Sequence, residues 1–396
     1  GSSVANTVGS GSVTIPLMKK TGYKPEFAAA AEASASTGGQ IMPPIMGAAA
    51  FLMAEFVGVP YFDVVKAAVI PALLYYIGVW LGVHYEAKKY DLKGTPREEL
   101  PSFKKLFVEK GHLALPLIVI VYLLVSGFTP MRAALAAILL SICCASLRAS
   151  TRITFRQGVQ GLIDGSMGVL GVLIACATAG IIIGVVTKTG VGLKVATALL
   201  DLSGGALLPA MFFTMITSLI LGMGVPTTAN YVITSTIAAP ALVQMGVPVL
   251  AAHMFAFSFG IVADVTPPVA LAAFAGAGIA GANPMRTGVN AAKLAIAAFI
   301  VPYIFVLAPE LLMINATPFT VFYSGLTAVI GMWGASIAMV GFCQNLLNIL
   351  QRAMFLVGGI CMIIPGEITD AIGIGMIIAA FFWQKTNKNK GPITQK

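Results

Sequence analysis

Two short clusters rich in Gly, Ser, Thr and Asn interrupt otherwise apolar sequence, at Gly1–Thr7 and at Gly222–Asn230. At membrane depth, backbone groups freed by such an interruption are tolerated only where they are buried or line a cavity. Freed carbonyls and side-chain oxygens suit a hard cation such as Na⁺. Helix N-termini at the same point attract an anionic group. The clusters therefore predict ion and anion binding, although a packing kink whose hydroxyls bond the backbone is the alternative.

Two further apolar stretches contain proline pairs, Pro43-Pro44 after Gly38-Gly39 and Pro267-Pro268 after Asp264, and Pro226 interrupts the second cluster. Proline lacks a backbone donor and clashes with the preceding turn, so we expect broken helices at these points. An acidic residue at membrane depth is a functional hypothesis by default, and Asp264 is the clearest example here. The alternative is that Asp264 only caps the half-helix that follows it.

The clusters and the breaks recur at one constant spacing of 224 residues. This shift places Asn6 on Asn230 and Pro43-Pro44 on Pro267-Pro268, whereas Asp264 falls on Gln40. Interrupted apolar segments at matching positions of two halves are typical of secondary transporters and point to a binding site near the bilayer midplane. The two halves are not chemically equal, because only one of them carries the carboxylate.

Composition places the chain in a membrane. Of its 396 residues, 58% are hydrophobic and 10% are charged, whereas soluble domains carry about 25% charged residues. The net charge of +9 reflects basic loops that orient membrane segments rather than a nucleic-acid surface. The five cysteines form no Cys-x-x-Cys pair, so we expect no transition metal, no redox role and no cofactor beyond a coupling ion.

The apolar segments divide the chain into membrane elements. We assign them to residues 4–17, 26–57, 64–86, 112–128, 131–147, 164–187, 206–222, 228–243, 249–281, 288–312, 317–342, 353–365 and 368–384. Limbs of about 16 residues reach only about 24 Å, which is short of the roughly 30 Å hydrocarbon core. The segments 206–222 and 228–243 therefore predict a re-entrant hairpin, and 4–17 predicts the second limb of another.

Charges in the loops orient these elements. The basic loop 87–111 is expected in the cytoplasm, and five crossings then separate the two hairpins, which makes the repeat inverted. The predicted regions are a first repeat (1–86), the cytoplasmic loop (87–111), connecting or scaffold helices (112–187), a second repeat (206–315) and extra C-terminal helices with a basic tail (316–396). Because the chain starts within the first cluster, we expect the first hairpin limb to lie upstream.

At these motifs the sequence resembles the large membrane subunit of tripartite ATP-independent periplasmic (TRAP) transporters. It is most similar to the C-terminal portion of the fused permeases of the TAXI type. The stretches that carry the resemblance are Ser3–Gly22, Ala33–Pro44, Gly222–Asn230 and Asp264–Pro268. The resemblance extends to about residue 315, and the apolar tail around 365–370 looks like the extra C-terminal helices of that subgroup.

The resemblance implies an all-α, two-hairpin, elevator-type secondary transporter, incomplete at its N-terminus, in a bacterial inner membrane. It implies symport of an organic anion, such as a dicarboxylate, a 2-oxoacid or an acidic amino acid, with Na⁺ or H⁺. A periplasmic substrate-binding protein would deliver the substrate. A small membrane subunit, fused upstream in this subgroup, would be the second partner.

The resemblance also assigns candidate site residues. The first cation site would comprise Ser3, Asn6, Gly38 and Gly39. The second cation site would comprise Gly222, Gly224, Thr227, Asp264 and Thr266. The substrate-binding residues would be Ser2, Thr7, Thr228 and Asn230.

Two other classes of protein remain as alternatives. An ion-conducting channel of inverted-repeat architecture would share the broken helices but would conduct at ion-channel rates. A membrane enzyme would need several convergent titratable groups at one depth, and the sequence offers chiefly Asp264. We therefore assign no catalytic residue and expect no enzymatic activity.

Overall fold

The computed structural model of the chain is a bundle of α-helices. It describes residues 2–44, 46–96, 98, 102–148, 151–314, 316–364 and 366–386. Within these ranges there is no β-strand, only an isolated bridge between Phe342 and Leu346. The predicted all-α class is confirmed, whereas Gly1, Pro365 and the basic tail from residue 387 lie outside the described residues.

The helices fall into three stretches of the chain. The first holds α1 (Ser3–Lys20), α2 (Pro25–Gly38), α3 (Ala48–Val57), α4 (Tyr61–Lys89) and α5 (Phe103–Lys110). The second holds α6 (Leu115–Val125), α7 (Pro130–Ser146), α8 (Phe155–Thr189), α9 (Val191–Ser203), α10 (Leu207–Gly222), α11 (Thr227–Ile237) and α12 (Ala239–Gln244). The third holds α13 (Val249–Val262), α14 (Leu271–Ala280), α15 (Pro284–Leu294), α16 (Ile296–Leu307), α17 (Pro318–Val340), α18 (Ile349–Cys361) and α19 (Glu367–Thr386). A 3-10 turn, Ala263–Val265, follows α13 directly.

Several helical stretches are long and apolar enough to cross a membrane. Among the described residues they are Tyr61–Lys89, Phe107–Val125, Pro284–Leu307, Pro318–Val340 and Glu367–Gln384. A bent pair, Ala177–Thr189 and Val191–Ser203, would add a sixth span, with 69° between its two parts. The hairpin limb α10 and the half-helices are shorter, as the sequence predicts.

Two predictions about this part of the chain need correction. No helix is predicted between residues 188 and 205, where α9 lies, because Lys194 and Asp201 interrupt the apolar run there. The loop 87–111 is not wholly irregular, since α4 continues to Lys89 and α5 lies within it.

The 224-residue repeat is reproduced in the secondary structure. Adding 224 to the residue numbers of α1 gives 227–244, which is the range from the start of α11 to the end of α12. Adding 224 to those of α2 gives the range of α13. Gly22 and Gly246, which follow the first helix of each repeat, both have positive φ, at 103° and 86°. The peptide bonds Pro43-Pro44 and Pro267-Pro268 are both cis. Each repeat thus consists of a limb, a helix, a break and a half-helix.

The two repeats exchange their half-helices. The half-helix α14 of the second repeat packs on α1 and α2 of the first, and α3 packs on α11 and α13 of the second. The Lys19 ammonium donates to the Ala280 carbonyl at 2.8 Å, at the end of α14. Buried residues from both repeats form one continuous apolar core. The broken helices are therefore held as a single packed unit.

The long helix α4 supports the first break. The Tyr75 and Tyr76 hydroxyls donate to the Ser34 and Ala35 carbonyls of α2 at 2.7 and 2.9 Å. A side chain on Gly38 would collide with the Tyr75 ring. The last turn of α2 is thereby fixed where the helix ends.

Gly276 and Gly278 provide a matched test of this packing. A Cβ at Gly276 would lie 3.1 Å from the Ala29 carbonyl oxygen and 3.2 Å from Thr7 Cγ2, whereas a Cβ at Gly278 meets nothing within 4 Å. We expect Gly276→Val to lower the free energy of unfolding by about 1–3 kcal/mol through overpacking. The thermal midpoint of the purified protein in lipid should fall for Gly276→Val and change much less for Gly278→Val. Equal midpoints for the two variants would contradict this packing.

Candidate functional site

Asp264 lies at the break of the second repeat, in the 3-10 turn after α13. It is 6% exposed, and its Oδ2 accepts a hydrogen bond from the Ser3 hydroxyl at 2.5 Å. Ser3 is the first residue of α1, and its carbonyl accepts a hydrogen bond from the buried Thr7 hydroxyl at 2.8 Å. The carboxylate of one repeat is thus bound to the limb of the other.

Asp264 has no cationic partner in the described part of the chain, where the salt bridges are Lys66–Asp63 and Lys89–Glu86. An unpaired carboxylate is costly to bury, and more so at membrane depth. One hydroxyl donor does not offset a full negative charge. The site therefore favours a bound cation or a proton beside Asp264.

Gln40 lies next to Asp264 at the equivalent break of the first repeat. It is fully buried, and its amide interacts with the Asp264 carboxylate, but among the described residues neither its Oε1 nor its Nε2 has a partner at direct hydrogen-bonding distance. A buried polar group without a partner costs about 1–3 kcal/mol, and such a group requires an explanation such as an ion, a water molecule or a ligand. The sequence analysis did not include Gln40 among the site residues. The sequence feature that could have identified Gln40 as a site residue is its position between Gly38-Gly39 and Pro43-Pro44.

Asn230 forms a second junction, where α10, α11 and α13 meet. Its Nδ2 donates to the Gly260 carbonyl at 2.7 Å, and its Oδ1 is buried without a partner among the described residues. A Cβ on Gly222 would lie 2.5 Å from the Gly260 carbonyl oxygen and 2.9 Å from Asn230 Nδ2. Glycine at position 222 is therefore required for the hairpin limb to approach α13 so closely.

The first repeat has a related but more open arrangement. A Cβ on Gly39 would lie 3.2 Å from Asn6 Nδ2, and Asn6 is exposed. The structure thus brings Asn6 to the end of α2, as the predicted first cation group requires. Ser3, the other residue of α1 in that predicted group, is bonded to Asp264 of the second predicted group.

The remaining predicted residues fall into two sets. Thr227 and Thr228 are buried in the first turn of α11, next to Asn230 along the chain, and Gly224 is an exposed turn residue with φ of 74°. By contrast, Thr266 donates to the Val262 carbonyl at 2.8 Å, and the exposed Ser2 hydroxyl accepts from the Ala5 amide at 3.3 Å. The hydroxyls of Thr266 and Ser2 are therefore engaged locally.

Asp264 was grouped with the second cation site in the sequence analysis, but its bonded partner, Ser3, comes from the first. The 3-10 turn that carries Asp264 contacts both α2 and α10. The two predicted groups are therefore adjacent across the junction of the repeats, rather than each lying within its own repeat. His253 bonds the Tyr231 hydroxyl at 2.7 Å rather than Asp264.

Comparison with known proteins shows the family to which the chain belongs. The family model described as "Tripartite ATP-independent periplasmic transporter, DctM component" matches residues 1–320. The chain belongs to this family. No curated protein matches the sequence.

Membership of the DctM family confirms the resemblance to TRAP transporters, and the matched residues include every predicted site residue. The family consists of membrane-spanning permease components of secondary transporters and is not a family of enzymes. DctM proteins normally work with a periplasmic binding protein and a small membrane subunit. The site described above therefore lies in a transporter subunit.

Gln40 offers a test that separates function from stability. If its unpaired amide serves a ligand, Gln40→Leu should retain or raise the thermal midpoint, because an apolar side chain removes the desolvation cost. The same variant should transport more slowly than the unsubstituted protein. A variant with a lower midpoint and unchanged transport would show that Gln40 is structural. The measurements are thermal unfolding and uptake on the same purified preparation.

Proposed function

We propose that this DctM component imports an organic anion, delivered by a periplasmic binding protein, together with Na⁺. The observation that carries the proposal is the buried Asp264 carboxylate, bound by Ser3 across the two repeats and without a cationic partner in the described ranges. A positive charge that enters with the substrate would neutralise this carboxylate. Occupancy of the ion site would then influence the packing of both repeats.

The oxygen atoms around Asp264 suit Na⁺. Carboxylate, hydroxyl and amide oxygens are ligands for hard cations, and Asp264, Ser3 and Gln40 supply one of each within a single junction. The Gln40 Oε1 makes no direct hydrogen bond among the described residues and is available to a cation. A proton on Asp264 is the competing explanation, and it predicts that uptake follows the pH gradient instead.

The organic anion is assigned to the starts of α1 and α11. Unpaired backbone N–H groups and the helix dipole favour a carboxylate at a helix N-terminus. Thr228 lies in the first turn of α11, and Asn230 follows it with an unpaired Oδ1. An anion here would lie close to the cation at Asp264, and mutual attraction would couple their binding.

The exchange of half-helices supports an elevator mechanism with an inverted repeat. Because α14 packs on α1 and α2, and α3 on α11 and α13, neither repeat can move without the other. We therefore propose that both repeats move together across the bilayer with their ligands. Inverted repeats with broken helices at the bilayer midplane are the usual basis of alternating access.

The cellular location, the partners and the subgroup of this component are part of the same proposal. We propose a bacterial inner-membrane location, a periplasmic binding protein and a small membrane subunit as partners. The helices α18 and α19 lie beyond the matched residues 1–320. They are the part of the chain that supports assignment to the TAXI type.

Asp264→Asn tests the ion site, because asparagine keeps the shape and can still accept from Ser3 while the charge is lost. We expect Na⁺-driven uptake and binding of radioactive Na⁺ to the purified protein to fall by about tenfold or more, as loss of a charged partner costs ~1.5–3 kcal/mol. Asp63→Asn is the matched control, since Asp63 is an exposed carboxylate paired with Lys66. Membrane insertion should be unchanged in both variants.

Three results would contradict the proposal. Normal Na⁺ binding and uptake by Asp264→Asn would remove Asp264 from the mechanism. Uptake that follows the pH gradient and ignores Na⁺ would replace Na⁺ by a proton. Conductance at ion-channel rates in planar bilayers would favour the channel alternative.

A further inference from the structure

A second carboxylate, Glu32, lies inside the first repeat and has no role in the site described above. It is partly buried, near the middle of α2. Seven residues separate it from Pro25 at the start of the helix, which corresponds to about 11 Å along the axis. Ionisable groups at such depth are rare and are associated with ion or proton movement. The equivalent position of the second repeat is Ala256, so this carboxylate belongs to one repeat only.

Glu32 is held against α1 by hydroxyl groups. Ser10 Oγ lies 2.5 Å from Glu32 Oε1, and Thr14 Oγ1 lies 2.5 Å from Glu32 Oε2. Ser36, on the same helix as Glu32, is more distant, at 3.4 Å. A Cβ on Gly11 would lie 3.1 Å from Glu32 Cγ. The absence of a side chain at position 11 thus gives the carboxylate access to both hydroxyls of α1.

No positive charge compensates Glu32 among the described residues. The elements packed on α2 are α1, α4, α14, α15 and the 3-10 turn. Their charged and titratable residues are Lys19, Lys20, Asp63, Lys66, Tyr61, Tyr75, Tyr76, His84, Tyr85, Glu86, Lys88, Lys89, Asp264, Arg286 and Lys293. None of them forms a salt bridge with Glu32 within the described ranges. Lys19 is directed to the Ala280 carbonyl, and Tyr75 and Tyr76 are bonded to α2 carbonyls.

Each hydroxyl around Glu32 has a choice of two acceptors. Ser10 Oγ is 2.8 Å from the Asn6 carbonyl oxygen as well as 2.5 Å from Glu32. Thr14 Oγ1 is 3.0 Å from the Ser10 carbonyl oxygen as well as 2.5 Å from Glu32. A hydroxyl has one proton to donate and two lone pairs to accept. Both groups can therefore donate to an ionised carboxylate, or turn to the backbone and accept from a protonated one.

We propose that Glu32, with Ser10 and Thr14, is a proton-binding site of the first repeat. A proton from water adds to one carboxylate oxygen, and the acid O–H then donates to a neighbouring hydroxyl that has turned to its backbone carbonyl. Hydrogen bonding is satisfied in both states without movement of a helix.

The effect of this site on transport rests on the proposed function, whereas proton binding itself does not. In a carrier, a proton on Glu32 would remove a negative charge from the packed unit before it crosses the bilayer. Uptake would then depend on pH in addition to its dependence on Na⁺. The two dependences would be separable, because Glu32 and Asp264 make no contact with each other in the described hydrogen bonds.

Infrared difference spectroscopy tests the site directly on the full protein in lipid, without a substrate. We expect the C=O stretch of protonated carboxyl groups to rise and fall with pH, and we expect the spectrum of the unsubstituted protein minus that of Glu32→Gln to contain the band of one carboxyl group. Glutamine is nearly the same size; its Oε1 can accept from one hydroxyl, and its Nε2 can donate to the other once that hydroxyl has turned to its backbone carbonyl. Glu55→Gln, at an exposed carboxylate of α3, is the matched control and should retain the signal. Loss of both hydroxyls in Ser10→Ala/Thr14→Val should move the stretch to higher frequency, because the carbonyl loses its donors.

Other outcomes would overturn the proposal. A carboxyl band of equal intensity in Glu32→Gln and the unsubstituted protein, or a band that is lost only in Asp264→Asn, would exclude Glu32 as the proton-binding group. A change in the ionised carboxylate bands on addition of Na⁺ at constant pH, lost in Glu32→Gln, would make this a Na⁺ site instead.

Uptake measurements distinguish failure of this proposal from failure of the proposed function. Glu32→Gln should flatten the pH dependence of uptake and leave its Na⁺ dependence in place. Uptake with an unaltered pH profile in that variant would exclude a transport role for Glu32 while the carrier assignment stands. If the protein carries no substrate at all, the carrier assignment fails, and the infrared result still decides whether Glu32 binds a proton.

Discussion

The carboxylate of Asp264 is buried in a membrane protein beside the Ser3 hydroxyl and the Gln40 amide, with no cationic partner among the described residues. Burying a negative charge in that environment costs free energy. The elements around Asp264 determine how its carboxylate is held. The break after α13 removes the carboxylate from a regular helix. The limb α1 of the other repeat then supplies Ser3. A charge placed at this junction depends on both repeats for its partners, so its occupancy and their packing are physically linked.

Small residues make that junction possible. Gly276 allows α14 to approach α1 and α2, and Gly222 and Gly260 allow the second hairpin to close on Asn230. Close backbone approach through small residues is a common basis of helix association in membranes, where lipid offers no hydrophobic driving force between helices. The consequence here is a dense unit in which two broken helices are each covered by the other repeat. Such a unit can keep unpaired backbone groups away from lipid.

The repeats share their geometry and differ in their chemistry. Adding 224 to the bounds of α2 gives the bounds of α13, and the half-helices α3 and α14 are offset by 223 residues. Yet Asp264 corresponds to Gln40, and Glu32 corresponds to Ala256. Each repeat therefore carries an acidic group that the other lacks, at a different depth and with different partners. The packed unit therefore combines a repeated backbone arrangement with two acidic side chains at non-equivalent positions.

Much of this arrangement is determined by the sequence alone. The low content of charged residues requires a membrane, because too few polar side chains are present to cover a surface in water. The proline pairs and glycines fix where the helices break, since these effects are local to the backbone. The constant spacing of Asn6 and Asn230 fixes the repeat, and apolar runs locate most helices. The charged α9 was missed because its amphipathic pattern is not a continuous apolar run.

The partners of the site were decided only by the tertiary structure. The family resemblance placed Asp264 with the second hairpin, whereas the fold binds it to Ser3, 261 residues away. Gln40 and Glu32 were overlooked because an unpaired amide and a carboxylate facing two hydroxyls are properties of packing between helices. Sequence spacing determines which residues share a helix face, but it does not determine which face of another helix they meet. In this protein, the exchange of half-helices between the repeats determines which helix faces meet.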